Sequence, residues 1–222
     1  GNFMPLGADG TPWFNDDEKK LMRLSSKSHW DVPVALPNGS IVHFLCSHPT
    51  PPSFDGPEDR NGKRNHDEIA FWMEYITDQP WIVDDDNRLG GLAIDSHFVI
   101  LGDLNADPSA GDSHKNPAGK LLSHAFVNND LTPASDVVID GLDPTDTAHF
   151  KLRVDYVIPS KRLIPQRGGV WRLAPTLATP TLPQTAGEKK GAFPSDHFPV
   201  WMELEVPPAK VGATPVGDLS SK

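Results

Sequence analysis

The 222-residue sequence contains a single cysteine, Cys46, and no run of about 18 consecutive apolar residues. One cysteine cannot form an internal disulfide, and it leaves no cysteine pair for a thiolate zinc site. The absence of a long apolar run excludes a membrane-spanning helix on sequence grounds. The length fits one domain that is large enough to bury a core, and a charged fraction of 23% is typical of a soluble globular chain.

Basic residues are also scarce, because 20 Lys and Arg stand against 30 Asp and Glu, a formal net charge of −10. Tight non-specific binding of nucleic acid depends on neutralising phosphates with Lys and Arg, so this charge balance argues against it. It does not exclude a nuclease that meets phosphates through a metal ion, since carboxylates clustered around a cation would themselves lower the isoelectric point.

The apolar periodicity predicts a β-rich domain with a few helices. Helices are predicted from Asp16, at 66–78 and at 118–127, and the second has Asn65 as its N-cap with Glu68 at capping-box spacing. A hairpin is predicted at 32–47, because Asn38-Gly39 suits its tight turn. Further strands are predicted at 97–104, 154–159, 169–173 and 200–206. The sequence therefore predicts one domain over residues 1–206, followed by a patternless tail or linker at 207–222.

The segment Gly102-Asp103-Leu104-Asn105 follows an apolar strand. Residues i and i+2 of an extended segment point to the same side, so Asp103 and Asn105 are expected to project together, with Gly102 letting a ligand approach the backbone. A carboxylate and an amide suit Mg²⁺, which takes a few hard oxygen ligands and keeps several waters. An ordinary turn, in which Asp and Asn are common, explains the same residues equally well.

The segment Ser195-Asp196-His197 precedes the final strand. Asp196 is a candidate metal ligand or phosphate-site carboxylate, and His197 is a candidate general base because imidazole titrates nearest to neutral pH. Asp155 lies in an otherwise apolar strand, where a hydrogen bond from His197 would satisfy its charge and orient the ring. The alternatives are a polar turn capped by Asp196 and an ion pair between Asp155 and Arg153.

His48 ends a predicted strand and precedes a proline-rich loop that would hold its ring at the strand end. There the imidazole is placed to contact a phosphate oxygen or to protonate a leaving group, although a structural role fits a lone histidine too. Arg60, Asn61 and Arg64 in the following loop are candidate substrate contacts that would bind phosphate, and a solvated loop face fits them equally well.

With these residues in place, the sequence resembles the endonuclease/exonuclease/phosphatase superfamily, which includes DNase I-like nucleases, abasic-site endonucleases, sphingomyelinases and inositol phosphate phosphatases. Three of its motifs stand in the expected order: Gly-Asp-Leu-Asn at 102–105, Arg-Val-Asp-Tyr-Val at 153–157 and Ser-Asp-His-Phe-Pro-Val at 195–200. His48 matches the family's strand-end His or Asn. The segment from His48 to Phe71 is most similar to a bacterial, often secreted subgroup, so the resemblance favours an extracellular or periplasmic location.

The resemblance implies an α+β fold, a four-layer α/β/β/α sandwich with its site at the strand ends on one edge. It implies a metal-dependent phosphoester hydrolase in which His197 is the base, Asp155 orients it, and His48 contacts the scissile phosphate. The groups that would hold the water, the phosphate or a Mg²⁺ or Mn²⁺ ion are Asp103, Asn105 and Asp196. Two alternatives on the same fold are a catalytically inactive binding protein and a DNase-type endonuclease.

The front of the sequence departs from the family pattern. Family members carry a first strand with an Asn and a second with a metal-ligating Glu, and no such strands precede Val32. The fold is therefore expected to be incomplete at the N-terminus, with the principal Glu ligand in a missing segment. We hypothesise that a complementary N-terminal fragment of the same protein pairs with exposed sheet edges and core, and that this chain alone binds metal poorly and is inactive. Intact mass and N-terminal sequencing test this hypothesis, which a natural polypeptide starting at Gly1 and folding alone would contradict.

Overall fold

The computed structural model describes residues 4–173 and 195–208, and these contain three helices and six strands. The helices are α1 (Asp16–Leu21), α2 (Arg60–Tyr75) and α3 (Pro117–Leu122). The strands are β1 (His29–Ala35), β2 (Ile41–Ser47), β3 (His97–Asp103), β4 (Asp155–Pro159), β5 (Ile164–Val170) and β6 (Val200–Glu205). Within these ranges no helix combines the length and hydrophobicity needed to cross a bilayer.

The first four strands form one sheet in the order β1-β2-β3-β4, and β5 pairs with β6 in a second, antiparallel sheet. In the larger sheet β1 runs antiparallel to β2, β2 parallel to β3, and β3 antiparallel to β4. The parallel pair is what places the site, because β2 and β3 end at the same edge of the sheet. The antiparallel β4 begins at that edge, so His48, Asp103 and Asp155 are brought to one end of three neighbouring strands.

Each face of the larger sheet is covered by a different layer. On one face, side chains such as Leu45 and Ile100 join the main core with Ile69 and Trp72 of α2 and Leu121 of α3. On the other face, a smaller core contains Val42, Val99 and Leu163, with Leu204 of β6 packed against it. Strand alternation explains the division, since neighbouring residues point to opposite faces. The predicted α+β class is confirmed, and the described residues supply helices, sheet and sheet as three of the four predicted layers.

The start of α2 differs from the sequence prediction. The helix begins at Arg60 rather than near residue 66, so Asn65 and Glu68 lie inside it and are fully buried. The Asn65 amide donates to the carbonyls of Thr50 and Leu104, while the Glu68 carboxylate accepts from the backbone N–H groups of Ser26 and Thr50. The capping-box interpretation was wrong because these polar groups hold neighbouring segments against the helix instead of capping its own end.

The other predicted elements are present with shifted ends. The helix predicted from Asp16 is present as α1, with Asn15 as its N-cap and Glu18 completing a capping box, and the Asn38-Gly39 turn joins β1 and β2 with φ of 81° at Gly39. The third helix ends at Leu122, five residues before its predicted end, and β5 begins at Ile164, five residues before its predicted start. The tail predicted at 207–222 lies, from residue 209 onward, outside the described residues, and the domain boundary at 206 stays a prediction.

Candidate active site

His197 and Asp155 form a hydrogen-bonded pair at the shared sheet edge. The His197 Nδ1 atom lies 2.8 Å from Asp155 Oδ2, and the two side chains are 27% and 21% exposed. With its proton on Nδ1, the ring donates to the carboxylate and leaves Nε2 as an acceptor. Burial lowers the pKa of His197, but the hydrogen bond to Asp155 and the nearby charges of Asp103 and Asp196 outweigh it, so the pKa is raised overall. The site is built to stabilise the protonated imidazole.

Asp103 and Asp155 lie directly opposite each other on β3 and β4. Like charges in this cross-strand position repel, so an intervening or adjacent cation is needed to offset them. Burial is the largest cause of the raised pKa of Asp103, and the neighbouring Asp155 carboxylate raises it further, against the lowering effects of the Asn105 backbone N–H and of His197 and His48. The carboxylate pair is therefore a local concentration of negative charge.

Two imidazoles approach the same oxygen of Asp103. Its Oδ2 atom lies 3.4 Å from His48 Nε2 and 4.0 Å from His197 Nε2. Among the described residues, Asp103, Asp155 and His197 form a group whose possible metal-binding atoms all lie within 4.8 Å of one another. The structure thus brings together four side chains from three strand ends and the segment before β6. His197 arrives there because it forms a β-bridge with Ala148 ahead of that strand.

Asn105 takes a position that differs from the sequence expectation. The strand β3 ends at Asp103, and Asn105 adopts a left-handed conformation with φ of 51°, so the two side chains do not alternate along one strand. The Asn105 backbone N–H donates to Asp103 Oδ1 at 2.8 Å, and its side-chain amide donates to the Pro49 carbonyl at 3.1 Å. The turn suggested as an alternative is therefore present, and it ties Asn105 to the residue that follows His48.

Gly102 is required by the sheet, whatever ligand binds. Its φ of 138° is one that glycine adopts readily, and a Cβ atom there would overlap the backbone carbonyl oxygen of Ser47 on β2. Gly102 also lines the cavity beside Asp103, and the expectation that it lets a ligand approach the backbone stays a prediction.

Asp196 and Arg153 test the alternatives left open by the sequence. The Asp196 side chain is 74% exposed, and its Oδ1 atom lies 4.0 Å from His197 Nε2, at the rim of the converging group. Its backbone carbonyl accepts from His149, which holds the segment in place. The Arg153 guanidinium lies 4.9 Å from the ring centre of Tyr156. Asp155 receives its hydrogen bond from His197, as the functional interpretation requires, instead of pairing with Arg153.

Arg60, Asn61 and Arg64 lie apart from this cluster. They line a second cavity beside the N-terminal segment, whereas the cavity at the sheet edge is lined by the Asp103, Asp155 and His197 group with Ser195. Asn61 is also engaged in holding its own loop, since its amide donates to the Ser53 carbonyl at 2.8 Å. The sequence placed all three in a loop after His48, and the structure places them in the first turns of α2.

Two residues at the site were not found from the sequence. Thr147 is buried, and its Oγ1 atom accepts from the backbone N–H groups of Val154 and Asp155 at 2.9 and 3.0 Å, while its carbonyl accepts from Phe198 N–H at 2.7 Å. It therefore joins the strand carrying Asp155 to the segment carrying His197. Phe150 places its ring edge-on to His197 with 5.4 Å between the ring centres. Neither residue belongs to a sequence motif, because its role depends on contacts between distant segments.

The cavity beside the cluster has a volume of about 470 Å³. Its lining combines the polar side chains of Asp103, Asp155, Ser195 and His197 with apolar ones that include Leu101, Val157 and Val200. The volume falls within the range of small-molecule sites. This lining can take a ligand that carries both a compact polar group and an apolar body.

A known protein family matches the part of the chain that contains the cluster. The model of the Endonuclease/Exonuclease/phosphatase family matches residues 26–197, a range that includes every residue of the cluster. No curated protein matches the sequence significantly.

Solved structures with a similar arrangement of elements include three bacterial proteins. An endonuclease/exonuclease/phosphatase from Beutenbergia cavernae has 16% identity and a TM-score of 0.47, with 79% of this chain and 38% of that chain covered. A mannosyl-6-phosphatase from Bacteroides thetaiotaomicron has 19% identity and a TM-score of 0.41, with 75% and 52% covered. A sphingomyelinase C from Streptomyces griseocarneus has 14% identity and a TM-score of 0.42, with 78% and 56% covered. The chain thus spans between 38% and 56% of the length of these proteins.

Proposed function

Since this chain belongs to the endonuclease/exonuclease/phosphatase family, we propose that it acts as a metal-dependent phosphoester hydrolase whose attacking water is activated by His197. The observation that carries the proposal is the 2.8 Å bond between His197 Nδ1 and Asp155, beside the Asp103 carboxylate. A purely binding role would not need an imidazole oriented by a buried-strand carboxylate with its second nitrogen left as an acceptor.

The proposed reaction begins with a water at the free Nε2 atom of His197. The ring accepts a proton from that water, and the raised pKa of His197 means that Asp155 stabilises the imidazolium that forms. The water oxygen attacks phosphorus in line with the ester oxygen, so one P–O bond forms as the P–O bond to the leaving alcohol breaks. His48, whose Nε2 lies 3.4 Å from Asp103, is proposed to contact the scissile phosphate and supply a proton to the leaving oxygen.

The donor chemistry of the site fits a divalent cation. The two opposed carboxylates Asp103 and Asp155 are hard oxygen ligands that favour positive charge nearby, and burial together with repulsion from Asp155 raises the pKa of Asp103. Asp103, Asn105 and Asp196 are proposed to hold Mg²⁺ or Mn²⁺, which takes few protein oxygens and keeps several waters. When bound, such an ion supplies positive charge to the phosphoryl oxygens in the transition state.

The substrate is proposed to be a small phosphate ester. The formal net charge of −10 and the cavity of about 470 Å³ favour a compact ester over an extended nucleic acid, whose binding relies on many basic contacts. Arg60, Asn61 and Arg64 line the second cavity, so any phosphate that they bind is proposed to belong to a ligand other than the ester that reacts at His197. The complementary N-terminal fragment stays a prediction, and the comparisons give it no support.

Hydrolysis of bis-p-nitrophenyl phosphate with Mg²⁺ tests the proposal in the protein at its natural length. His197→Ala is expected to lower kcat by about 10²–10⁴-fold, the usual contribution of general acid–base catalysis. His124→Ala is the matched control, because His124 follows α3 beside Phe126, whose carbonyl bonds Lys161 at the opposite end of the sheet. Equal rates for the wild-type protein and His197→Ala would remove the assignment of the base. A substrate panel of plasmid DNA against inositol phosphates separates the DNase-type alternative from a small-ester hydrolase.

A further inference from the structure

A second cavity of about 560 Å³ lies between the N-terminal segment and the first turns of α2. Its described lining carries a single carboxylate, Asp67, and four basic side chains: Lys19, Arg23, Arg60 and Arg64. The lining is basic in a chain with 30 acidic and 20 basic residues, although Lys19, Arg60 and Arg64 each lie within ion-pair distance of an acidic residue, respectively Asp16, Glu58 and Glu68. Clustered arginines in a concave site are typical of oxyanion recognition, because the guanidinium presents a planar fork of donors.

Apart from Asn61, the rest of the cavity lining is apolar. It is formed by Met4, Pro5, Trp13, Phe14, Met22 and Leu24. Trp13 is 46% exposed and Met4 is 42% exposed, so the wall presents apolar surface to solvent rather than burying it in a core. A cavity with one basic and one apolar wall suits a ligand that carries both characters.

The basic wall is held in place by contacts along the chain. Arg64 donates to the backbone carbonyls of Arg23 and Leu24 at 3.0 and 3.3 Å, which fixes the N-terminal segment against α2. The Arg60 guanidinium pairs with Glu58 and lies 5.8 Å from the ring centre of Trp13, so the two walls meet there. Arg23 forms no ion pair within residues 4–173 and 195–208, and its charge is therefore available to a ligand.

We propose that this cavity binds a small organic phosphate, with the phosphate at Arg23 and the neighbouring cations and an aromatic or aliphatic body against Trp13. Phosphate fits better than a carboxylate because its double charge and three oxygens can reach Arg23 and also compete with the acidic partners that the neighbouring cations already have. The site is separate from the Asp103 cluster, since the two cavities share no lining residue. The inference does not depend on the hydrolase proposal, because it concerns binding alone.

Binding of phenyl phosphate tests the inference through tryptophan fluorescence of the whole chain, in EDTA so that no divalent ion acts at the other cavity. We expect a saturable change that disappears in Trp13→Phe, although the five other tryptophans remain. Arg23→Ala is expected to weaken the Kd by about fivefold or more, the effect of losing one partly exposed charge contact. Arg88→Ala is the matched control, since Arg88 is 76% exposed and paired with Asp86 in a distant loop.

Further ligands and variants give the results that would overturn the inference. Phenol and inorganic phosphate are expected to bind more weakly than phenyl phosphate, because each engages only one wall, and benzoate is expected to bind more weakly because it carries one charge. Equal affinity for inorganic phosphate would show that the apolar wall has no role. Unchanged binding in Arg23→Ala, or loss of binding in Asp103→Asn, would assign the signal to a site other than this cavity.

Discussion

Replacing Asp155 by Asn removes the carboxylate that holds the His197 ring and leaves a side chain of almost the same size. The two groups lie 2.8 Å apart and are 27% and 21% exposed, so their attraction is neither fully screened nor fully buried. Two unit charges about 4 Å apart interact by roughly 1 kcal/mol in water and roughly 4 kcal/mol at the effective dielectric of a protein surface. Because solvent screens the partly exposed pair, the interaction energy lies near the lower end of this range, and Asp155→Asn loses about 1–2 kcal/mol of it.

That loss lowers the pKa of His197 in Asp155→Asn, because the carboxylate that most favours the protonated ring is gone. The fall is not larger because the Asp103 and Asp196 carboxylates, each 4.0 Å from His197 Nε2, remain to favour the protonated ring. NMR titration of the ring carbon and nitrogen signals of His197 measures the change directly and requires no activity. The His197→Gln spectrum identifies the signals by their absence.

Asp31→Asn is the matched control for this titration. Asp31 on β1 pairs with His43 Nδ1 on β2 at 2.8 Å. The substitution therefore removes an equivalent His–Asp contact elsewhere in the protein. It should leave the pKa of His197 unchanged. A His197 pKa that stays the same or rises in Asp155→Asn would refute the reasoning that this carboxylate stabilises the imidazolium.

The same pair gives a pH dependence of stability with a defined sign. Because the pKa of His197 is raised in the folded state, its contribution is fully present below the unfolded value of about 6.5 and is lost as pH rises through the folded pKa. The free energy of unfolding in urea should therefore be higher for the wild type than for Asp155→Asn, and the difference should be largest just below pH 6.5. The margin should shrink as the pH rises above the pKa of His197 in the folded wild type, and a margin that grows with pH would contradict this sign.

Three further predictions follow from the contacts around the site. Thr147→Val leaves two buried backbone N–H groups without their acceptor and should lower the free energy of unfolding in urea by about 1–3 kcal/mol, whereas an unchanged value would show that the Thr147 hydroxyl is not needed. Gly102→Ala should lower the Tm, because the conformation with φ of 138° alone costs about 1–3 kcal/mol and the new Cβ meets the Ser47 carbonyl; an unaltered Tm would contradict this close approach. Asp103→Asn should raise the Mn²⁺ concentration that broadens the His197 NMR signals by about tenfold or more, since disturbing even a supporting group of a metal site costs roughly 10–100-fold in affinity. Equal broadening in both proteins would place the ion elsewhere.

The sequence predicted the strands of the site well because their signals are local. The alternation in β6 and the apolar run of β3 fix both elements, and their bounds agree with the prediction to within one residue. The helix predicted from Asp16 is also present, and its signal is local, since the acidic residues of its first turn and its Asn15 cap lie within four residues of each other. Elements that are determined by short-range patterns can therefore be predicted from the sequence.

The start of α2 could not be predicted in the same way. Asn65 and Glu68 have the spacing of a helix cap, but their side chains bond Thr50, Leu104 and Ser26, which lie 15 to 42 residues away. Long-range partners of this kind leave no periodic trace in the sequence. The residues of the capping-box motif are present here, but tertiary contacts give their side chains a different role.

The site shows the same division between local and distant information. The pairing of His197 with Asp155 was predicted from a buried carboxylate that needed a partner and from the family resemblance, and the two lie 42 residues apart in sequence. The role of Thr147 was not predicted, because nothing in its neighbourhood indicates that its hydroxyl and carbonyl join two segments of the site. Arg60 and Arg64 were predicted to lie in a loop near the site, and their position away from the cluster follows from the start of α2 at Arg60.

The dependence of kcat/KM on pH, measured with Mg²⁺ in the protein at its natural length, tests the role of His197 most directly. Activity should rise with pH along a limb whose midpoint equals the NMR pKa of His197, above the ordinary value of about 6.5, because the ring must be neutral to accept a proton. In Asp155→Asn the limb should move to lower pH by the same amount as that pKa. A limb that stays in place when the pKa of His197 moves would contradict the assignment of His197 as the base.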